Sequence, residues 1–537
     1  MKFLTSSISF GAFVLLSCAF VNAKRSDHEP WQLSEHLGNL SPYFKAPNPA
    51  GLTETLPADC QVNQVMTMVR HGSRYPLVTE LPFITNLVSK LSNHTALIQK
   101  AKLPTSLQFL KDGYTSTLGH DDLTAPGRLQ LFEHGVNFRL RYPQLEVTSV
   151  LAGNQDRVLE SAQWFAQGYF GRSWAGLNAS EFSTINEDNV TASWITPMNT
   201  CKKWDYNFGN NATVEWGTHY LPPITKRLNA LLPSVNLTND DTHGALYACA
   251  YDLAAHGTSP WCGAFSHSEI DAFEYELDLL MDGAFGYNLP GTMGPTLGAL
   301  LVGKVVERFS NASTGAQEVY LEFGHDTTID LALTALGIAH DKPALSAKGP
   351  VPASRKWRTS RQVPFGAQLT WEKFTCTSSA HGPQIRLLLN ESPLSLSPVC
   401  KHTLNEKTGA CSLQDFVNST KTIVSHTWGD ANWNATCGAD AQKYKRLEYK
   451  ALFQEGLHFR SIQSLPYTHH QHAIQVLWIL QRQTHHHPLH KSFGGWNNFM
   501  HSYGFMPYDH DDIQEGNEIA DRLLENNRID EAQGGSK

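Results

Sequence analysis

Three short stretches carry side chains suited to one kind of chemistry. Residues 65–76 read VMTMVRHGSRYP, an apolar run ending in Arg70, His71 and Arg74. Residues 147–157 read VTSVLAGNQDR and end in Arg157. Residues 319–326 read VYLEFGHD and end in His325 and Asp326. Three guanidinium forks present N–H donors that suit an oxyanion with several oxygens, and a phosphoryl group meets that description. His71 would then attack phosphorus and carry the group as a phosphohistidine. Neighbouring positive charge disfavours imidazolium, so the ring would stay unprotonated in acid. Asp326 would protonate the departing alkoxide and later activate the water that cleaves the phosphoenzyme. His325 would donate to a phosphate oxygen. So much fixed cationic charge removes the need for a metal ion, and no cofactor is expected.

Side chains so distant in sequence need a scaffold that gathers them. Each stretch reads as a buried strand that ends just before its polar residues. In open α/β sheets, ligands bind at the carboxyl ends of the strands. The run at 64–69 has apolar residues on both faces, which suits a covered, mostly parallel sheet. In LTAPGRLQLFEHGVNFRLRYP, 123–143, Leu129, Phe132, Val136 and Leu140 recur at helical spacing, with Pro126 near the start. Val158, Ala162, Phe165 and Tyr169 form a second helical stripe and place Arg157 in that helix's first turn. Thr327 is the expected N-cap of the helix after GHD. GAQLTWEKF and QIRLLLN are later strands. The region from about 180 to 300 lacks clear strands and reads as a mostly helical insertion.

The totals set the class. A chain of 537 residues exceeds the usual span of one domain. Its formal net charge of −8 does not indicate a nucleic-acid partner. Lys2, the apolar run FGAFVLLSCAF and VNA ending at Ala23 form a secretory signal pattern. Lys24-Arg25 is a candidate second processing site. No other stretch approaches transmembrane length, and no membrane partner is expected. Of nine cysteines, Cys18 leaves with the signal. An even set of eight in an oxidising compartment argues for disulfides. None shows C-x-x-C spacing. Cys249–Cys262 and Cys400–Cys411 are close enough for local loops, and spacing leaves the other pairings open. Asn-x-Ser/Thr sites stand at Asn93, Asn178, Asn189, Asn211, Asn236, Asn311, Asn390, Asn418 and Asn434, which marks a secreted glycoprotein, extracellular or cell-wall associated.

VRHGSRYP together with FGHDTTI resembles the histidine acid phosphatase family, in particular its secreted fungal acid phosphatases and phytases. DRVLESAQWFAQGYFG, PFGAQLTWEKFTC and ACSLQDFV add to the likeness. The resemblance implies an α/β fold: a phosphoglycerate-mutase-like core with a mostly parallel sheet flanked by helices, plus an inserted smaller α-helical domain. It matches His71 to the nucleophile, Asp326 to the proton donor, and Arg70, Arg74, Arg157 and His325 to the phosphate ligands. It also implies the long-range disulfides Cys60–Cys376 and Cys201–Cys437. The resulting division is a signal at 1–23, an extended arm at 24–55, the α/β domain at 56–175 and 301–465, the helical insertion at 176–300, and a His-rich and acidic tail at 466–537.

The expected substrates are small phosphomonoesters. A phytase pocket gains from extra cations, whereas LVTELPFITNLVSKLSNH, after the first motif, has one acid and one lysine. That favours a broad acid phosphatase, with phytase as the alternative. The clusters THHQH and THHHPLH are read as solvated. The proline-rich arm points to contacts between protomers, a homo-oligomer.

Overall fold

In the computed structural model, which describes residues 32–171, 181–187, 193–311, 317–379, 382–425 and 431–438, the apolar run VMTMV becomes the middle of β1, Cys60–Arg70. Successive side chains on a strand point to opposite faces. Val65 and Val69 therefore join one buried cluster, with Leu131, Phe138, Val158 and Phe165. Met66 and Met68 join another, with Val302, Ile329, Leu333 and Phe416. Both faces of the sheet are covered, which is why the strand carries no polar stripe.

The other strands are β2, Ser149–Gly153; β3, Glu181–Ile185; β4, Val319–Gly324; β5, Gln368–Cys376; β6, Gln384–Leu389; β7, Ser392–Leu394; and β8, Cys411–Ser412. Their order is β3-β2-β4-β1-β5-β6-β7, with β8 on β6. The half that bears the three motifs is parallel: β1 with β4, β2 with β4, and β2 with β3. From β1 onward the pairings turn antiparallel. The sheet is thus mixed, and β2, β4 and β1 are neighbours whose carboxyl ends lie side by side. Backbone bonds knit those ends together: His71 N–H to Gly324 O at 3.0 Å, and Gly366 N–H to His71 O at 2.9 Å.

The edge strand β3 lies inside the region expected to be helical. Helices dominate only afterwards, at Asn207–Leu231, Asn239–His256 and His267–Phe285. These pack as a separate apolar cluster containing Trp216, Tyr251, Trp261 and Phe273. The helix Met293–Ser310 runs through residue 300, where a boundary was expected. Its Leu301, Val302 and Val305 belong to the sheet's own core.

The helix Ala125–Arg141 forms as expected, with Thr124 Oγ1 accepting from Gly127 N–H. Its buried face is not the expected one. Leu129 and Leu140 are exposed, and the inward positions are Gly127, Leu131, His134, Gly135 and Phe138. Glycines explain the difference. A Cβ on Gly135 would stand 2.0 Å from Phe165 O, so this helix touches its neighbour Asp156–Phe170 backbone to backbone. A stripe defined by large apolar residues cannot register a contact made through glycine. In the neighbour, Val158, Ala162, Phe165 and Tyr169 are buried as expected, and Arg157 sits in the first turn.

The N-cap of the helix Asp326–Ala335 is His325, not Thr327. His325 N–H meets Thr328 Oγ1 at 3.4 Å, so Asp326 already occupies the first helical position. The described part of the arm packs on its own chain, with Leu37 and Leu40 buried in the helical cluster. Four disulfides are formed: Cys60–Cys376, Cys201–Cys437, Cys249–Cys262 and Cys400–Cys411.

Asn93, Asn211, Asn236, Asn311 and Asn418 are exposed, and Asn434 is half-buried. Asn390 is the exception. It is fully buried, and its amide donates to Arg361 O and Gln362 O, which leaves no room for a glycan. The signal, Lys24-Arg25, Asn178, Asn189, both His clusters and the tail lie outside the described residues. No helix among the described residues is long and apolar enough to cross a membrane.

Candidate active site

The strand ends bring together the six side chains singled out in the sequence. His71 follows β1 and is 2% exposed. Its Nδ1 lies 2.9 Å from Gly72 O. A carbonyl only accepts, so Nδ1 holds the ring proton and Nε2 keeps its lone pair. The His325 ring packs edge-on at 5.7 Å between centroids. Burial pushes the His71 imidazole well below its ordinary range, and Arg70, Arg157, His325 and Arg74 add to the effect in that order. The sequence suggested charge as the cause; burial is the larger one.

Arg70 is fully buried over the Phe365 ring, 4.6 Å from its centroid. Its Nη1 donates to Asn39 O and Val363 O. Its Nη2 lies 2.8 Å from Asp326 Oδ2. Arg74 is held by Tyr75 O at 2.9 Å and Tyr251 OH at 3.3 Å, with Glu80 Oε2 at 3.5 Å. Arg157 Nη1 lies 3.9 Å from Asp121 Oδ1. The Nε–H groups of Arg70, Arg74 and Arg157 are all buried, and none has a partner among the described residues. A buried donor left unpaired costs about 1–3 kcal/mol. Three of them around one imidazole define a seat for an anion.

Asp326 Oδ2 also accepts from Asn39 Nδ2 at 3.0 Å. Burial opposes ionisation of this carboxyl. Arg70 and the Asn39 amide outweigh burial and hold it below its usual value. His325 Nε2 lies 2.6 Å from Glu187 Oε2.

Sequence reasoning missed Asn39, Phe365, Tyr251 and Glu187. Asn39 lies in the arm, and Glu187 follows a five-residue edge strand; neither belongs to a periodic pattern. Phe365 alone had a signal, as part of PFGAQL. Away from this seat, His36, Asp271 and Glu274 bring potential metal-ligating atoms within 4.8 Å of one another. Glu274 is already ion-paired to Arg355 at 2.7 Å and Arg358 at 2.6 Å, a poor fit to a cation.

Comparisons with known proteins identify the family. Residues 61–390 match the family model described as histidine phosphatase superfamily, branch 2. The thiamine-repressible acid phosphatase pho4 of Schizosaccharomyces pombe is 30% identical over 79% of this chain and 96% of its own length. A second acid phosphatase of that yeast is 29% identical over 81% of this chain and 97% of its own. Phytase PHO112 of Candida albicans is 26% identical over 79% and 92%. The crystal structure of the phytase from D. castellii superimposes with a TM-score of 0.68 at 24% identity, covering 78% of this chain and 91% of that one, which supports the fold. The chain belongs to the histidine phosphatase superfamily, branch 2, and is a phosphoric monoester hydrolase.

Proposed function

We propose that the protein hydrolyses phosphomonoesters in acid through a phosphohistidine at His71. The observation that carries this reading is the buried imidazole, its proton on Nδ1, among three guanidinium Nε–H groups that have no partner among the described residues. Nε2 attacks phosphorus, the bond to the leaving oxygen breaks, and the Asp326 carboxyl gives that oxygen its proton. Water then attacks the phosphohistidine, Asp326 takes a proton back, and phosphate leaves as the P–N bond breaks. In the free enzyme Arg70 holds Asp326 ionised. A phosphate dianion on Arg70 offsets that effect and lets the carboxyl take up a proton, the state its first task requires. Arg70, Arg74, Arg157 and His325 serve as the phosphate ligands. Rapid quenching in alkali during turnover of a labelled monoester tests the scheme. Label on His71 Nε2 is expected, and label on any other residue overturns it.

Two acids favour simple monoesters over phytate. Asp121 lies beside Arg157 and Glu80 beside Arg74. Asp121 keeps a left-handed backbone, φ 61°, to stand there. Carboxylates at these positions repel the additional phosphates of a polyphosphorylated substrate. We also read the chain as a secreted glycoprotein whose helical segment is a domain set into the α/β core. The signal pattern, four disulfides and five exposed sequons support secretion. Sequencing the N-terminus of protein from the culture medium, with an endoglycosidase mass shift, checks this part.

A further inference from the structure

Glu187 follows β3 and is held unusually well for a loop residue. Its N–H donates to Asn154 Oδ1 at 3.1 Å, and Asn199 Nδ2 and Thr196 Oγ1 donate to its carbonyl. Asn154 N–H in turn reaches Ile185 O at 3.1 Å, which ties the ends of β2 and β3 together. The side chain is 3% exposed. Gly153, the last residue of β2, makes its space: a Cβ there would stand 1.6 Å from Glu187 Oε1. Oε1 is buried and has no hydrogen-bond partner among the described residues. Oε2 meets His325 Nε2 at 2.6 Å.

A carboxylate accepts and does not donate, so this contact places a proton on His325 Nε2. Nδ1 is then the nitrogen left to face a phosphoryl oxygen. To donate through Nδ1 as well, the ring must carry both protons and stand as an imidazolium beside its carboxylate. We propose that Glu187 is a positioning residue of the phosphate seat, holding His325 by Nε2 so that Nδ1–H points at the phosphoryl group. This rests on the reading of His325 as a phosphate ligand. Without Glu187 the ring could rotate and exchange its two nitrogens, and the donor to phosphate would no longer be fixed. Carboxylates that orient metal-bound histidines matter by factors of about ten to a hundred, and that range sets the scale expected of the same arrangement here.

The test uses the whole enzyme and inorganic phosphate as a competitive inhibitor. Glu187→Ala should raise the phosphate inhibition constant about tenfold and lower kcat by about a hundredfold. Glu187→Gln keeps an acceptor for Nε2–H but loses the charge that faces the imidazolium, and should recover only part of both. Gly153→Ala leaves Glu187 in the chain but fills its seat, and should raise the same constant by a similar factor. It serves as the test if Glu187→Ala does not fold. In a His325→Ala background, Glu187→Ala should change the constant less than about twofold, because residues acting through one another are not additive. An unchanged inhibition constant in Glu187→Ala or Gly153→Ala overturns the proposal, and so does an undiminished effect in the His325→Ala background. If His325→Ala itself leaves the constant and kcat unchanged, the ligand assignment of His325 fails instead. If it impairs both while the Glu187 variants do not, only the positioning role fails.

Discussion

The Nδ1 atom of His71 lies 2.9 Å from the carbonyl oxygen of Gly72, its own chain neighbour, and this contact puts the ring proton on Nδ1. The residue after His71 thus fixes its tautomer. Gly72 can serve only because it lacks a side chain: a Cβ there would stand 2.5 Å from Gly127 O, on the helix that closes the site from behind. Burial and the surrounding guanidinium groups keep the ring unprotonated in acid. The tautomer and the protonation state come from different neighbours, and both leave the lone pair on Nε2.

Replacing that ring is the most direct test. His71→Ala should lower kcat on an aryl phosphate by more than about a thousandfold. His71 supports the site and contributes little to the apolar clusters, so the melting temperature should stay within a few degrees. Turnover near the wild-type rate would remove His71 as nucleophile.

Asp326 is expected to matter in proportion to how badly the leaving group needs a proton. Asp326→Asn should slow alkyl phosphates by about 10²–10⁴-fold and p-nitrophenyl phosphate far less. Equal losses on both would count against proton donation and leave only its ion pair with Arg70. Asn39→Ala removes the second hydrogen bond to the same carboxylate. It should move the high-pH limb of kcat/KM upward, since the carboxyl must be protonated for its first task and that bond helps to hold it below its usual value.

Much of this site was legible because buried strands leave a coarse signature. VMTMV, VTSVLAG and VYLEF are apolar runs that end abruptly in charge, and a parallel sheet aligns such ends. The invisible parts were single polar residues without periodicity. Asn39 reaches Asp326 from 287 positions away. Glu187 reaches His325 across 138. The misread face of Ala125–Arg141 has another cause: close backbone contact is made by Gly127, against Ser73, and by Gly135, against the neighbouring helix, and glycines carry no hydrophobic signal. The antiparallel half of the sheet was blurred for the same reason as the parallel half was clear. Leu369, Trp371, Ile385 and Leu387 are buried on both strands, so direction leaves no mark on composition.

Charge at the rim should decide between phosphoesters. Asp121→Asn removes the carboxylate beside Arg157 and keeps the side chain's size. It should raise kcat/KM on phytate several-fold at low salt while changing a neutral-alcohol monoester by less than about twofold, with the gain fading as salt screens it. Equal gains on both substrates would show that Asp121 only competes for Arg157.

His134 ties stability to pH. It is 4% exposed, its Nε2 donates to Gly366 O at 3.0 Å, and its ring packs edge-on against Tyr43. Gly366 follows Phe365, the ring beneath Arg70, so this bond braces the floor of the site. Burial pushes the imidazole down to about 4, against 6.5 for a free side chain. Below the free value the unfolded chain takes up a proton that the folded chain refuses. Stability is therefore complete above about pH 6.5 and falls until about pH 4, by up to about 3 kcal/mol from this group. His134→Gln retains an N–H donor and cannot titrate there. Denaturant unfolding of both proteins at pH 7 and pH 4.5 should show the wild type losing more of its stability on acidification than the variant. Parallel losses would mean that His134 is protonated in the folded protein as readily as in the unfolded chain.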